Sequence, residues 1–117
     1  MSRATQIKLA QIAHARSGDK GASANVGVIA YTQTGYELIR RQLTAEAVKQ
    51  FFRAMSPSRV TRYELPNLLA LNFVVSDILD GGGSLSLRID AQGKALGQAI
   101  LEMMIDVPEV ELARCRR

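Results

Sequence analysis

Two stretches near the N-terminus alternate like half-buried strands, and the loop between them is short enough to make them a hairpin. From Ile7 to Arg16, the residues Ile7, Leu9, Ala13 and Ala15 fall on one face, and Ile12, His14 and Arg16 on the other. From Ser23 to Tyr31, Ala24, Val26, Val28 and Ala30 share a face, with Ser23, Asn25 and Gly27 opposite. Gly18 and Gly21 bracket Asp19 and Lys20 in the intervening loop. A chain that begins with such a pair must build an antiparallel or mixed sheet, because two parallel strands need a crossover of a dozen or more residues.

The remainder mixes helices and strands without strict alternation. Tyr36 to Leu43 reads as one or two helical turns with Leu38 and Ile39 inward. Thr44 is a good N-cap for a helix from Ala45 to Met55, with Glu46 in its first turn and Val48, Phe51, Phe52 and Met55 as its apolar stripe. Arg59 to Leu65 alternates as a third strand. Pro66 suits the first turn of a helix, and Leu68, Leu71, Val75 and Leu79 fall at helical spacing, so Asn67 to Leu79 is predicted as a buried helix. Phe73-Val74-Val75 lean the other way, towards strand. Gly81-Gly82-Gly83 mark a turn, Ser84 to Ile89 a short strand, and Asp90 the cap of a helix from Ala91 to about Met103, with Gly93 and Gly97 on one face. Met104 to Val107 add an edge strand ended by Pro108. This pattern predicts an α+β sandwich in which about three helices pack on one face of an antiparallel or mixed sheet. One domain over residues 1–117 is expected, with a core over about 7–108 and a frayed basic tail over 109–117.

Charge placement decides what the basic balance means. The chain has a formal net charge of +4, but Arg114, Arg116 and Arg117 supply most of it, leaving 12 basic against 11 acidic residues over 1–113. With three Tyr and three Phe, and none interleaved with a basic segment, a nucleic-acid partner is not expected. No apolar run approaches the ~20 residues of a membrane span, and the first residues lack the apolar stretch of a signal peptide, so a cytoplasmic location away from membranes is expected. Cys115 is the only cysteine, which excludes intramolecular disulfides and cysteine-based zinc sites. It reads as an incidental thiol on the tail, although Arg114 and Arg116 beside it could lower its pKa.

The segment from His14 to Gly27 concentrates the candidate chemistry. Gly18-Asp19-Lys20-Gly21 departs from a phosphate-binding loop, because Gly21 follows the lysine and a strand comes next. Glycines at 18 and 21 can still let backbone N–H groups line a concavity, with Arg16 and Lys20 adding positive charge for a carboxylate, phosphate or thioester carbonyl. The competing account is a turn in which Asp19 caps the backbone and pairs with Lys20 or Arg16. His14, Ser17 and Asp19 sit too close together around one bend to form a triad, so His14 assisted by Asp19 is the better general-base candidate. A metal would have to combine His14, the only histidine, with Asp19, Glu64 or Asp77, and this supply is too thin to predict a metal or other cofactor. Glu64 and Asn67 stand at a strand-to-helix junction, as binding groups or as a partner of Arg62 or Arg88 and a helix cap respectively.

His14-Ala15-Arg16-Ser17-Gly18-Asp19-Lys20-Gly21 followed by Ala24-Asn25-Val26-Gly27, then Arg62-Tyr63-Glu64-Leu65-Pro66-Asn67-Leu68, then Asp90-Ala91-Gln92-Gly93-Lys94-Ala95-Leu96-Gly97, occur in this order. Together they resemble the small C-terminal domain of the acyclic terpene utilisation protein AtuA family, from about Ile7 to Pro108. The resemblance implies a ferredoxin-like fold and a bacterial cytoplasmic setting near acyl-CoA carboxylases and enoyl-CoA hydratases of terpenoid or branched-chain acid breakdown. Larger members of the family carry a long N-terminal domain that this sequence lacks. The resemblance therefore implies an accessory or assembly subunit, as a homo-oligomer or with a larger AtuA-type subunit. The alternative is a small enzyme or binding protein for an anionic small molecule, acyl-CoA or carboxylate, at the Arg16–Asn25 loop. For that reading Arg16, Ser17, Gly18, Asp19, Lys20, Gly21, Asn25, Glu64 and Asn67 are the candidate ligand contacts, and His14 and Asp19 the candidate catalytic groups.

Overall fold

A computed structural model describes residues 3–20, 23–77 and 96–116, with the side chains of Asp19 and Lys20 left out. Its elements are β1 (Ala4–Lys8), β2 (Ala13–Lys20), β3 (Ser23–Ala30), α1 (Gln33–Gln42), α2 (Ala45–Phe51), β4 (Arg59–Leu65), β5 (Ala70–Ser76), α3 (Leu96–Ile100), β6 (Met104–Pro108) and α4 (Leu112–Cys115). Four strands form an antiparallel sheet in the order β2-β3-β5-β4, and β1 pairs antiparallel with β6 in a second sheet. The α+β architecture expected from the sequence is therefore present.

Period-2 patterning places the core. Ala24, Val26, Val28 and Ala30 of β3 and Leu71, Phe73 and Val75 of β5 are all buried on the face that α1, α2 and α3 cover. Thr32 and Thr44 start the first two helices by accepting hydrogen bonds from the N–H groups of Gly35 and Ala47, each at 3.0 Å. Arg62, on the helix-facing side of β4, donates to the carbonyl oxygens of Arg40 at 2.6 Å and Leu43 at 3.2 Å, satisfying acceptors left over at the end of α1.

Three expectations need correction. Ile7 to Arg16 is two strands in two sheets, because a 3-10 turn over Leu9–Gln11 separates β1 from β2. Leu9 and Ile12 are both fully buried, and that three-residue spacing belongs to a turn rather than to a strand. The N–H groups of Leu9 and Ala10 donate to the carbonyls of Met103 and Leu101, anchoring the turn to the stretch before β6. The segment after Pro66 is strand β5 and not a helix. A 3-10 turn over Pro66–Leu68 ends at Leu69 in the left-handed region, φ 55°, which reverses the chain into β5. The spacing of Leu68, Leu71 and Val75 was coincidental: Leu68 is 64% exposed, while Leu71, Phe73 and Val75 alternate into the core.

Among its described residues, 109–116, the basic tail is docked and not frayed. After β6 a 3-10 turn over Glu109–Glu111 leads into α4, which packs on α1 and buries Cys115 completely. Met104–Pro108 forms the expected final strand. The Gly81–Gly83 turn, the Ser84–Ile89 strand, the Asp90 cap, Gly93 and Arg88 lie outside the described residues. Only Leu96–Ile100 of the expected last helix is described as helical.

Candidate functional site

Antiparallel register fixes which residues share the sheet face that the helices leave open, since residues directly opposite one another point the same way. Three transverse rows result. One runs Gly18, Asn25, Val74, Thr61; the next Arg16, Gly27, Asn72, Tyr63; the third His14, Ile29, Ala70, Leu65. Across the middle of this face lies a groove of about 400 Å³. Arg16, Gly18, Asn25 and Asn72 line its polar end, and Ile29, Leu65, Leu68 and Ala70 its apolar end. A volume in this range suits a small ligand.

The two glycines explain the depression. Neither Gly18 nor Gly27 has a positive φ, and neither is crowded. A Cβ on Gly18 would meet nothing within 4 Å, and one on Gly27 would meet Asn72 Oδ1 at 3.7 Å, an ordinary contact. Glycine within a strand costs conformational entropy and packs nothing, so both positions weaken the sheet without serving its geometry. Both border the same groove.

The polar groups at this end are few and oriented. Asn72 Nδ2 donates to Asn25 Oδ1 at 3.1 Å, which turns Asn72 Oδ1 over Gly27. Arg16 is exposed and forms no ion pair among the described residues. It is also the only titratable side chain among the described residues bordering the groove. Ser17 borders the groove as well, but its Oγ accepts a hydrogen bond from the N–H of Gly97 at 2.9 Å, tying α3 to β2.

His14, Glu64 and Asn67, also candidates from the sequence, do not border the groove. Gly18, Asp19 and Lys20 belong to β2, which pairs through Lys20 with Ser23. The side chains of Asp19 and Lys20, and Gly21 entirely, lie outside the described residues. His14 stacks on Tyr31, ring centroids 5.5 Å apart and planes at 24°, and does not line the groove. Glu64 pairs with Arg62 at 2.8 Å, and Asn67 is exposed on the Pro66–Leu68 turn; neither reaches the groove. Their neighbours Leu65 and Leu68 do. Reading the sequence missed Gly27, Ile29, Leu65, Leu68, Ala70 and Asn72. Asn72, a polar residue interrupting the apolar run from Leu68 to Val75, was the available signal.

Two buried groups lie away from the groove. Burial raises the Cys115 thiol above its ordinary pKa, with Glu111 adding to the effect. Burial likewise raises Tyr36, followed by the nearby Glu64 carboxylate, and its hydroxyl has no hydrogen-bond partner among the described residues. Among the described residues no group of three His, Cys, Asp or Glu side chains could hold a metal ion, and no helix is long and apolar enough to cross a membrane.

The model of the family described as AtuA ferredoxin-like domain matches residues 7–106, most of the chain. No curated protein and no solved structure matches it.

Proposed function

We propose that this chain, which belongs to the AtuA ferredoxin-like domain family, binds a small anionic molecule with an apolar portion in the groove on its open sheet face. The observation that carries this reading is the pair of glycines, Gly18 and Gly27, in strand positions that neither backbone conformation nor crowding requires. Bare backbone there lets a ligand lie against the sheet. Arg16 meets the polar head, a carboxylate or the carbonyl oxygen of an acyl thioester, and Ile29, Leu65, Leu68 and Ala70 receive the hydrocarbon part. This is a binding reading: His14 stacks on Tyr31 and does not border the groove.

Thermal melting with 4-methylpentanoate and with its CoA thioester tests this. Ligand at 100 times its Kd adds about 2.7 kcal/mol of stability, a rise in melting temperature of several degrees. The rise should vanish in Arg16→Gln. No rise with either compound, or one that persists in Arg16→Gln, overturns the assignment.

A second reading is that of an accessory subunit in cytoplasmic terpenoid or branched acyl-CoA breakdown, assembling with itself or with a larger AtuA-type subunit. It draws on Tyr63, Leu65 and Leu68, large apolar side chains that are 52%, 40% and 64% exposed beside the groove. Light scattering after size exclusion tests self-assembly: a mass of two or more chains that falls to one in Leu68→Glu supports it. A strict monomer that also fails to bind a purified AtuA-type subunit removes it.

A further inference from the structure

The groove's polar end distinguishes its hydrogen-bond donors from its acceptors, and this narrows the ligand. Asn25 spends its carbonyl oxygen on Asn72, so its amide nitrogen is left as a donor. Arg16, one row away, offers only donors. Asn72 spends an amide hydrogen on Asn25 and presents Oδ1, an acceptor, over Gly27. Among the described residues no other group donates to that oxygen. An anion placed against Asn72 Oδ1 would meet a lone pair, so the ligand's charge belongs on the Arg16 and Asn25 side. Beside the charge, over Gly27, the oxygen calls for a hydrogen-bond donor. Arg16, Gly27 and Asn72 are successive cross-strand neighbours in one row. With strands about 4.8 Å apart, the donor must sit within one or two carbon atoms of the carboxyl group.

We infer that the groove selects a hydroxy carboxylate: a monoanionic head on Arg16 and Asn25, a hydroxyl on carbon 2 or 3 donating to Asn72 Oδ1, and a branched or short hydrocarbon tail on Ile29, Leu65, Leu68 and Ala70. This rests on the binding reading above and specifies its ligand class. Gly27 makes the arrangement possible, since any side chain there would occupy the space the hydroxyl needs. The Asn25–Asn72 bond holds the acceptor in place before the ligand arrives, which limits the ordering cost of binding.

Calorimetry on the full chain with four acids of matched tail tests the inference: 4-methylpentanoate, its 2-hydroxy and 3-hydroxy derivatives, and the methyl ether of the better hydroxy acid. The better hydroxy acid should bind about five- to tenfold more tightly than the parent, the range expected of one neutral hydrogen bond. The ether, which has lost the donor, should fall back to the parent's affinity. Asn72→Leu should abolish the preference for the hydroxy acid over both the parent and the ether. Should that variant not fold, the comparison of the four acids on the unaltered chain still decides. Binding of parent and hydroxy acids within twofold of each other overturns this inference and leaves the binding site intact; an ether as tight as the hydroxy acid does the same. Absence of binding by all four acids overturns this inference, and absence of binding by the CoA thioester of 4-methylpentanoate as well overturns the binding reading.

Discussion

Gly97 of α3 packs directly on the backbone of Arg16. A Cβ at position 97 would stand 3.2 Å from the Arg16 carbonyl carbon and 3.3 Å from both its nitrogen and Ser17 Oγ. Backbone atoms in a paired strand cannot move aside, so helix and strand would have to separate. Gly97→Ala is therefore expected to destabilise the protein by about 1–3 kcal/mol, the usual cost of overpacking. Because the strain falls on the residue that receives the anion, it should also weaken binding of 4-methylpentanoate. Urea unfolding and calorimetry check the two effects separately.

Gly27 behaves in the opposite way. A Cβ there makes only ordinary contacts, so Gly27→Ala should leave stability unchanged or raise it by about 0.5–1 kcal/mol, through the lower entropy of the unfolded chain. Gly18→Ala should do likewise, having nothing within 4 Å. Gly27→Val, with two more carbons in the floor of the groove, should fold and bind no carboxylate. Loss of stability in both alanine variants would show that the glycines serve the fold.

The half of the groove contributed by the hairpin was legible because β2 and β3 are neighbours in sequence. Alternation over Ser23–Tyr31 placed Asn25 and Gly27 opposite the buried valines, and Arg16 and Gly18 follow from pairing across a short turn. The other half depends on β5, whose apolar residues fit helical and strand periods alike over Leu68–Val75. Its alternation becomes visible only when Phe73 stands opposite Val26 and Asn72 opposite Gly27, contacts that no local pattern encodes. Docking of the C-terminus was hidden for a related reason. Leu112 and Cys115 form a one-turn apolar pair among arginines, and what makes it a buried anchor is the partner surface on α1.

Arg62 and Glu64 form an ion pair, yet their contributions should differ sharply. Arg62 also donates to two carbonyl oxygens at the end of α1, and its side chain is only 21% exposed. Arg62→Ala leaves those acceptors without their donor and should cost about 2 kcal/mol in urea unfolding. Glu64→Gln removes only a half-exposed surface pair, worth less than about 1 kcal/mol, and should leave carboxylate binding unchanged, since Glu64 does not border the groove.

The buried thiol and phenol make the fold sensitive to alkali. Burial holds Cys115 protonated above its usual value of 9.0 and Tyr36 above 10.0. A folded state whose acids ionise later than in the unfolded chain binds more protons than the unfolded state between the two pKa values. Its stability is thus complete below the unfolded values and falls as pH rises through the folded ones. Melting temperature should hold level to about pH 8 and decline beyond pH 9 as first Cys115 and then Tyr36 come under pressure to ionise. Cys115→Ala should remove the earlier part of the decline, at the expense of some packing against α1, and Tyr36→Phe the later part without losing any hydrogen bond among the described residues. A thiol reagent at pH 8 should leave native Cys115 unmodified and label it once urea unfolds the chain, whereas rapid labelling of the native protein would place the C-terminal helix off the core.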